Sequence, residues 1–215
     1  MKALDEIVDL MKKTTEIYLV RHGQSIHNLE ERIAGQHDSR LTELGFQDAQ
    51  GVAVAIGRSD FDVVYCSDLL RAQQTAETIC NHLKLNCPIN FSPLLRELDY
   101  GDFTEKPVSE TFEFLNYKVA QGQRYPGGEG FIHLEERTQR FLFQLKRESP
   151  GSRVLVVSHA GSLRLLAMLF DPKRRQEHLD RAYGNRFLGK VVLDANQELV
   201  SMEVIQNPRR NDSTV

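Results

Sequence analysis

The chain has 215 residues, enough for one domain that buries its core without disulfides or metals. Its apolar share of 40% and charged share of 27% are ordinary for a globular protein, and a net charge of −3 gives no general electrostatic case for nucleic acid or an acidic membrane as partner. The three cysteines, Cys66, Cys80 and Cys87, are odd in number and contain no Cys-x-x-Cys pair, which argues against a disulfide framework or a thiolate zinc site and for a reduced, cytoplasmic setting.

Residues 1–15 read as a short amphipathic helix, with Leu4, Ile7, Val8 and Met11 at helical spacing among Asp5, Glu6 and Asp9; the segment does not have the form of a signal peptide. No apolar run approaches the ~18 residues of a membrane span. The main domain follows over 16–207. Ile17–Val20 is a buried strand. Thr42 caps a helix to about Arg58, with Leu44, Ala49, Val52, Ala53 and Ile56 inward. Val63–Cys66 is a second strand, Leu69–His82 a second helix and Pro88–Phe91 a short strand. Residues 98–128 contain Pro107, Pro126 and Gly127-Gly128 and read as an irregular segment covering one edge of the sheet. Within it Phe103, Phe112, Phe114 and Tyr117 could line a pocket, although core packing explains them equally well.

A third helix starts near Glu129, carries Phe131, Leu134, Phe141, Leu142 and Leu145, and closes on Lys146 and Arg147, as a helix dipole favours. Val154–Val157 is a strand and Leu163–Phe170 a helix stopped at Asp171-Pro172. Phe187–Leu193 and Leu199–Ile205 form a hairpin about Asp194-Ala195-Asn196-Gln197, and 208–215 is a polar tail. Strands alternating with helices predict an α/β fold, a three-layer sandwich with a central mixed, mostly parallel sheet flanked by helices. The terminal hairpin or the N-terminal helix could mediate a homodimer.

Three strands run into residues capable of chemistry: Arg21-His22-Gly23, Ser67-Asp68-Leu69-Leu70-Arg71 and Ser158-His159-Ala160-Gly161. Sites in open α/β sheets form beyond the carboxyl ends of strands. Parallel neighbours would therefore bring two histidines and two arginines to one edge. Arginine offers phosphate an always-charged planar fork of donors. Two arginines and one donating histidine could hold three phosphoryl oxygens while the second imidazole attacks phosphorus. A leaving alkoxide needs a proton, and Glu97 is the best-placed carboxyl by sequence. Glycines 23 and 161 let the backbone turn and approach closely.

These residues resemble a known family. Arg21-His22-Gly23 with Asn28 looks like the signature of the histidine phosphatase superfamily, which includes the cofactor-dependent phosphoglycerate mutases. Ser67–Ala76, Leu95–Phe103, Pro126–Glu129 and Ser158–Arg164 are similar to its later motifs, and they run in family order over about 16–205. The resemblance implies that His22 forms a phosphohistidine, that Arg21, Arg71 and His159 bind the phosphoryl group with Asn28 assisting, and that Glu97 is the acid and then the base. Backbone N–H groups after His159, at Ala160, would also donate to phosphate. No metal or organic cofactor is implied; the substrate would be a small-molecule phosphate ester. The sequence departs from the family pattern at Ala34, at Phe103-Thr104-Glu105 and at Ala160.

Only 61 residues separate Glu97 from His159, and Lys106, Lys118 and Arg124 are scattered within them, without the paired arginines of the mutase-type insertion. The expectation is therefore a phosphatase-type hydrolase, with a mutase or a non-catalytic phosphate-binding module as alternatives. A cysteine phosphatase loop is disfavoured, because Cys66 and Arg71 have four residues between them rather than five. Arg164 matches the family pattern but suits a structural salt bridge at least as well. His27, His37, His82, His133 and His178 read as surface residues.

Overall fold

The computed structural model describes residues 13–57, 60–110 and 124–207. The strands are β1 (Thr15–Arg21), β2 (Val63–Ser67), β3 (Ile89–Ser92), β4 (Arg153–Ser158), β5 (Leu188–Leu193) and β6 (Leu199–Gln206). The helices are α1 (Ile26–Leu29), α2 (Glu43–Ile56), α3 (Leu70–Leu83), α4 (Phe131–Glu148), α5 (Ala160–Phe170) and α6 (Arg175–Asp180). No helix among the described residues is long and apolar enough to cross a membrane.

One six-stranded sheet runs in the order β3-β2-β4-β1-β5-β6. β3, β2, β4 and β1 are parallel, while β5 is antiparallel to both β1 and β6. The sheet is thus mixed and mostly parallel, as the sequence pattern implied. The central strands are apolar on both faces because both are covered. Tyr18, Val20, Leu155 and Val157 pack beneath α2 and α3 with Ala49, Val52, Ala76 and Ile79. Ile17, Leu19, Val154 and Val156 pack on the other side with Phe141 and Leu145 of α4 and Leu163 and Leu166 of α5.

The ends of elements follow local chemistry. Thr42 caps α2, its hydroxyl accepting from the Gly45 N–H at 3.0 Å, and the helix stops at Ile56 rather than Arg58 because Gly57 turns left-handed at φ 64°. Leu44 is only half-buried; Gly45 and Asp48 take the buried positions of that first turn, since it lies on the loop after β1. There Gly23 and Gly45 touch backbone to backbone: a Cβ on Gly23 would meet the Gly45 carbonyl oxygen at 2.1 Å.

α4 begins at Phe131, after Glu129, because the Glu129 carboxylate faces inward to Arg137 at 3.1 Å. α5 begins at Ala160, three residues before Leu163, since β4 feeds it directly through His159 as N-cap. The Lys173-Arg174-Arg175 run spans a 3₁₀ turn and the start of α6.

Several expectations change. Lys13 and Thr14 are outside any helix and Thr15 opens β1, so the expected 1–15 helix cannot extend that far; residues 1–12 lie outside the described residues. The same holds for Phe112, Phe114, Tyr117, Lys118 and the tail 208–215. The 98–128 segment is not irregular throughout: Gly101–Phe103 is a 3₁₀ turn and residues 108–110 are helical. The short α1, closed by a reciprocal Ser25–Asn28 capping box, was not anticipated.

Candidate active site

Strand register builds the site. Arg21 of β1 pairs with Ser158 of β4, and Cys66 of β2 pairs with Val157 of β4, so the next residues of all three strands emerge side by side. The His22 and His159 rings lie 5.0 Å apart at 58°. His22 lines the floor of a cleft of about 440 Å³ together with Arg21, Asn28, Arg71, Glu97 and Ala160 among others, and His159 is buried directly behind it. The sequence-predicted residues are therefore brought together.

His22 is 3% exposed, and its Nδ1 lies 2.8 Å from the Gly23 carbonyl oxygen. That acceptor fixes the proton on Nδ1. Nε2 then carries the lone pair, and it accepts from Arg71 Nε at 3.3 Å. Burial, then the charges of Arg71 and Arg21, hold the His22 pKa well below the usual histidine value. The ring is a neutral imidazole whose Nε2 lone pair faces the Arg71 Nε–H.

Arg71 is 1% exposed, and its hydrogen-bond partners are neutral: His22, the Gly35 carbonyl at 2.7 Å and the His37 carbonyl at 2.9 Å. Burial pulls its pKa down to about 10, which leaves it charged at neutral pH. Arg21 lines the same cleft and donates to the Tyr183 carbonyl.

His159 is fully buried, with Nε2 2.8 Å from Ser67 Oγ. Ser67 Oγ already accepts from the Leu69 N–H, so its own proton is available to His159 Nε2. In that tautomer the otherwise unpartnered Nδ1 becomes the donor. Burial and the neighbouring Arg71 charge also hold this ring well below the usual value, so it donates as a neutral imidazole rather than an imidazolium.

Glu97 is oriented by two backbone donors, the Leu98 N–H at 2.8 Å and the Gly161 N–H at 3.1 Å. A Cβ on Gly161 would meet Glu97 Oε1 at 2.3 Å, so only glycine permits this approach. Gly161 thus serves Glu97, and Ala160 remains the cleft-lining residue of that turn. Asn28 combines its capping role with a place in the cleft wall. Its Oδ1 accepts from the Ser25 N–H at 3.2 Å and from Asn185 Nδ2 at 3.0 Å.

Sequence reasoning missed several contributors. Asn185 also donates to the His22 carbonyl at 3.1 Å. Thr75 Oγ1 accepts the Gly23 N–H, and Arg137 clamps the Arg96 and Glu97 carbonyls while pairing with Glu129. Asn185 had a readable signal: it precedes an antiparallel strand, whose start lies at the same sheet edge as the ends of the parallel ones.

Two histidines read as surface residues are buried. His27 is 8% exposed on the inner side of α1, and His178 is 1% exposed, facing inward on α6. Arg164 makes no salt bridge among the described residues; it stacks 5.5 Å from the Tyr183 ring and lines the outer cleft. Cys66 is fully buried with its thiol pKa pushed well up by burial, which suits packing and not a thiolate nucleophile.

Fold and site together define an α/β protein with two buried histidines and an arginine-lined cleft at the carboxyl edge of its sheet. The family model described as "Histidine phosphatase superfamily (branch 1)" matches residues 17–202, and the chain belongs to that superfamily. A Yersinia pestis relative named "Probable phosphoglycerate mutase GpmB" is 34% identical over 154 residues, 69% of this chain and 71% of its own length. The fold is shared with the alpha-ribazole phosphatase from Shigella flexneri, with a TM-score of 0.75, 24% identity and coverage of 91% of this chain and 96% of that one. It is also shared with phosphoglycerate mutase from Bacillus anthracis, with a TM-score of 0.79, 21% identity and coverage of 91% and 94%.

Two predictions follow from this geometry. Gly161→Ala should push Glu97 out of place, lowering turnover by roughly 10²-fold, the scale of a lost general acid, while thermal unfolding shows the fold retained. Unchanged turnover would show that the Gly161–Glu97 contact does not matter. The depressed pKa values of His22 and His159 mean that the unfolded chain binds more protons below about pH 6.5. Stability should therefore fall as pH drops below that point, by up to about 1.4 kcal/mol per unit for each histidine, and His159→Gln should flatten the slope measured by urea unfolding.

Proposed function

We propose that the chain is a phosphomonoesterase that hydrolyses a small phosphorylated metabolite through a phosphohistidine at His22, with no metal or organic cofactor in the transfer. The observation that carries this reading is the pairing of a neutral His22, its Nε2 lone pair fixed by the Nδ1–Gly23 contact, with the buried cation Arg71 at that same nitrogen.

In the first step Arg71 Nε exchanges its hydrogen bond to Nε2 for one to a phosphoryl oxygen, Nε2 bonds to phosphorus and the ester P–O bond breaks. Arg21, Arg71, Asn28, His159 and the Ala160 backbone hold the phosphoryl oxygens, and Glu97 gives its proton to the leaving oxygen. In the second step water attacks the phosphorus, its proton passes to Glu97, and the P–N bond breaks. His22 returns to its starting tautomer because its Nδ1 proton stays with Gly23 throughout. Few groups suffice, since phosphoryl transfer depends mainly on positioning and charge stabilisation.

A mutase reading is favoured by the name of the Yersinia relative. The cleft speaks for hydrolysis. Arg164 is the cation of its outer part among the described residues, whereas Lys106 lies over the Phe103 ring and Arg124 donates to the Gly128 carbonyl. Among the described residues, a second anionic group would have one arginine to meet it. We place the enzyme in the cytoplasm, acting on free phosphate esters rather than nucleic acid or membrane; the net charge of −3 and three free thiols support this.

Hydrolysis of p-nitrophenyl phosphate in excess EDTA should proceed with the wild type and stop with His22→Ala. Equal rates would remove His22 as nucleophile, and dependence on bisphosphorylated primer would favour the mutase. Glu97→Gln should lose about 10²- to 10⁴-fold on alkyl phosphates and much less on aryl phosphates, whose leaving groups need little protonation. Equal losses on both would show that Glu97 is not the acid.

A further inference from the structure

Beside the cleft, and outside its lining, three side chains converge from three segments: His27 of α1, His37 of the following loop and Glu105 of the turn after Gly101–Phe103. One ligand atom from each lies within 4.8 Å of the others. Glu105 Oε1 is 3.8 Å from His27 Nε2 and 3.7 Å from His37 Nδ1, and the two imidazoles meet edge to face at 5.6 Å.

His27 gives this cluster its meaning. It is 8% exposed, yet neither of its ring nitrogens makes a hydrogen bond. Buried polar atoms in folded proteins nearly always have partners, and an imidazole with two unsatisfied nitrogens points to a ligand. Nε2 looks toward Glu105, where a bound ion would sit.

We propose that His27, His37 and Glu105 form a site for a borderline divalent cation, Zn²⁺ first among them. Two imidazoles and one carboxylate are a zinc donor set that leaves a fourth position for water. Bonds of about 2.0–2.1 Å in a tetrahedron place ligand atoms roughly 3.3–3.4 Å apart. The separations from Glu105 are 3.7 and 3.8 Å and all three ligand atoms lie within 4.8 Å of one another, so the cluster closes to that value by side-chain movements of about an ångström, which the exposed His37 and Glu105 are free to make. The nearby Arg32 does not compete for the carboxylate: its Nε donates to the Glu105 carbonyl at 2.7 Å, and its NH1 faces Glu30 at 3.4 Å.

The ion would clip the turn carrying Glu105 onto α1 and the loop at His37. Those two elements also furnish Asn28 and the carbonyl that holds Arg71. None of the three ligands lines the cleft, so the site is separate from the phosphoryl-transfer groups and does not depend on the hydrolase reading.

The test uses the full chain, stripped with EDTA and desalted, and titrated with Zn²⁺ and separately with Co²⁺. We expect one ion per chain, a rise in Tm of about 5 °C at a zinc concentration near 100 times Kd, and the intense visible absorption of four-coordinate Co²⁺. Glu105→Gln and His37→Ala should each abolish the zinc-dependent rise while their metal-free unfolding matches the wild type. Glu105→Gln should also leave turnover in EDTA unchanged. His22→Ala should still bind, which separates this site from the catalytic pocket. Three results would each overturn the proposal: no bound ion in excess zinc, an undiminished rise in both ligand variants, or loss of binding in His22→Ala.

Discussion

The site depends on one buried positive charge that the fold surrounds with neutral acceptors. Arg71 is fully enclosed at the start of α3, yet the atoms it touches are an imidazole nitrogen and two carbonyl oxygens. Glu97 and Asp38 act on it only through space. Burying a guanidinium without a carboxylate in contact is costly, and the neutral acceptors around it recover only part of its lost hydration. On the proposed reading, a phosphoryl group at His22 Nε2 supplies the missing countercharge. The same contacts fix geometry, since Arg71 ties the loop at Gly35–His37 to α3 and to His22 in one step.

That arrangement explains why both central histidines are kept neutral. Each sits in a low-dielectric pocket with Arg71 and Arg21 nearby, and both effects oppose protonation. A neutral His22 has a lone pair to give, while a neutral His159 can still donate one hydrogen bond. Their roles are separated by what holds the other nitrogen: a carbonyl for His22 and a hydroxyl for His159. Backbone and Ser67 therefore set the direction of each proton, and burial with arginine sets its presence.

Much of the fold was legible because it rests on periodicity. The buried runs at Ile17, Val63 and Val154 became adjacent parallel strands, and the polar residues after each became the site. Other features have no local pattern. Ser67 and Thr75 act by contacts to residues 92 and 52 positions away in the chain. Arg137 reaches back about 40 residues to clamp the backbone at Glu97. His27 and His178 sit on α1 and α6, helices of four and six residues, too short for an apolar face to be read from spacing. Glu97 is legible from its place after the short Pro88–Phe91 strand, but what holds it, a glycine 64 residues later, is visible only when the strands are laid side by side.

The cleft also divides its labour by topology. Its floor is made by residues that follow the parallel strands, where chain direction fixes them rigidly. Its outer wall comes from the segments between the strands, loops and helices alike: Leu29, Ile33, Tyr100 and Val108 on one side, Tyr183 and Arg164 of α5 on the other. The antiparallel β5 makes the second side reachable, because its starting end returns the chain to the edge at which the parallel strands finish. Asn185, at that return, bonds both His22 and Asn28 and so joins wall to floor. On the proposed reading, a change in the outer wall would alter which ester is admitted without moving the groups beneath the phosphorus, and a half-apolar wall with Arg164 as its outer cation among the described residues leaves room for water more readily than for a second firmly held anion.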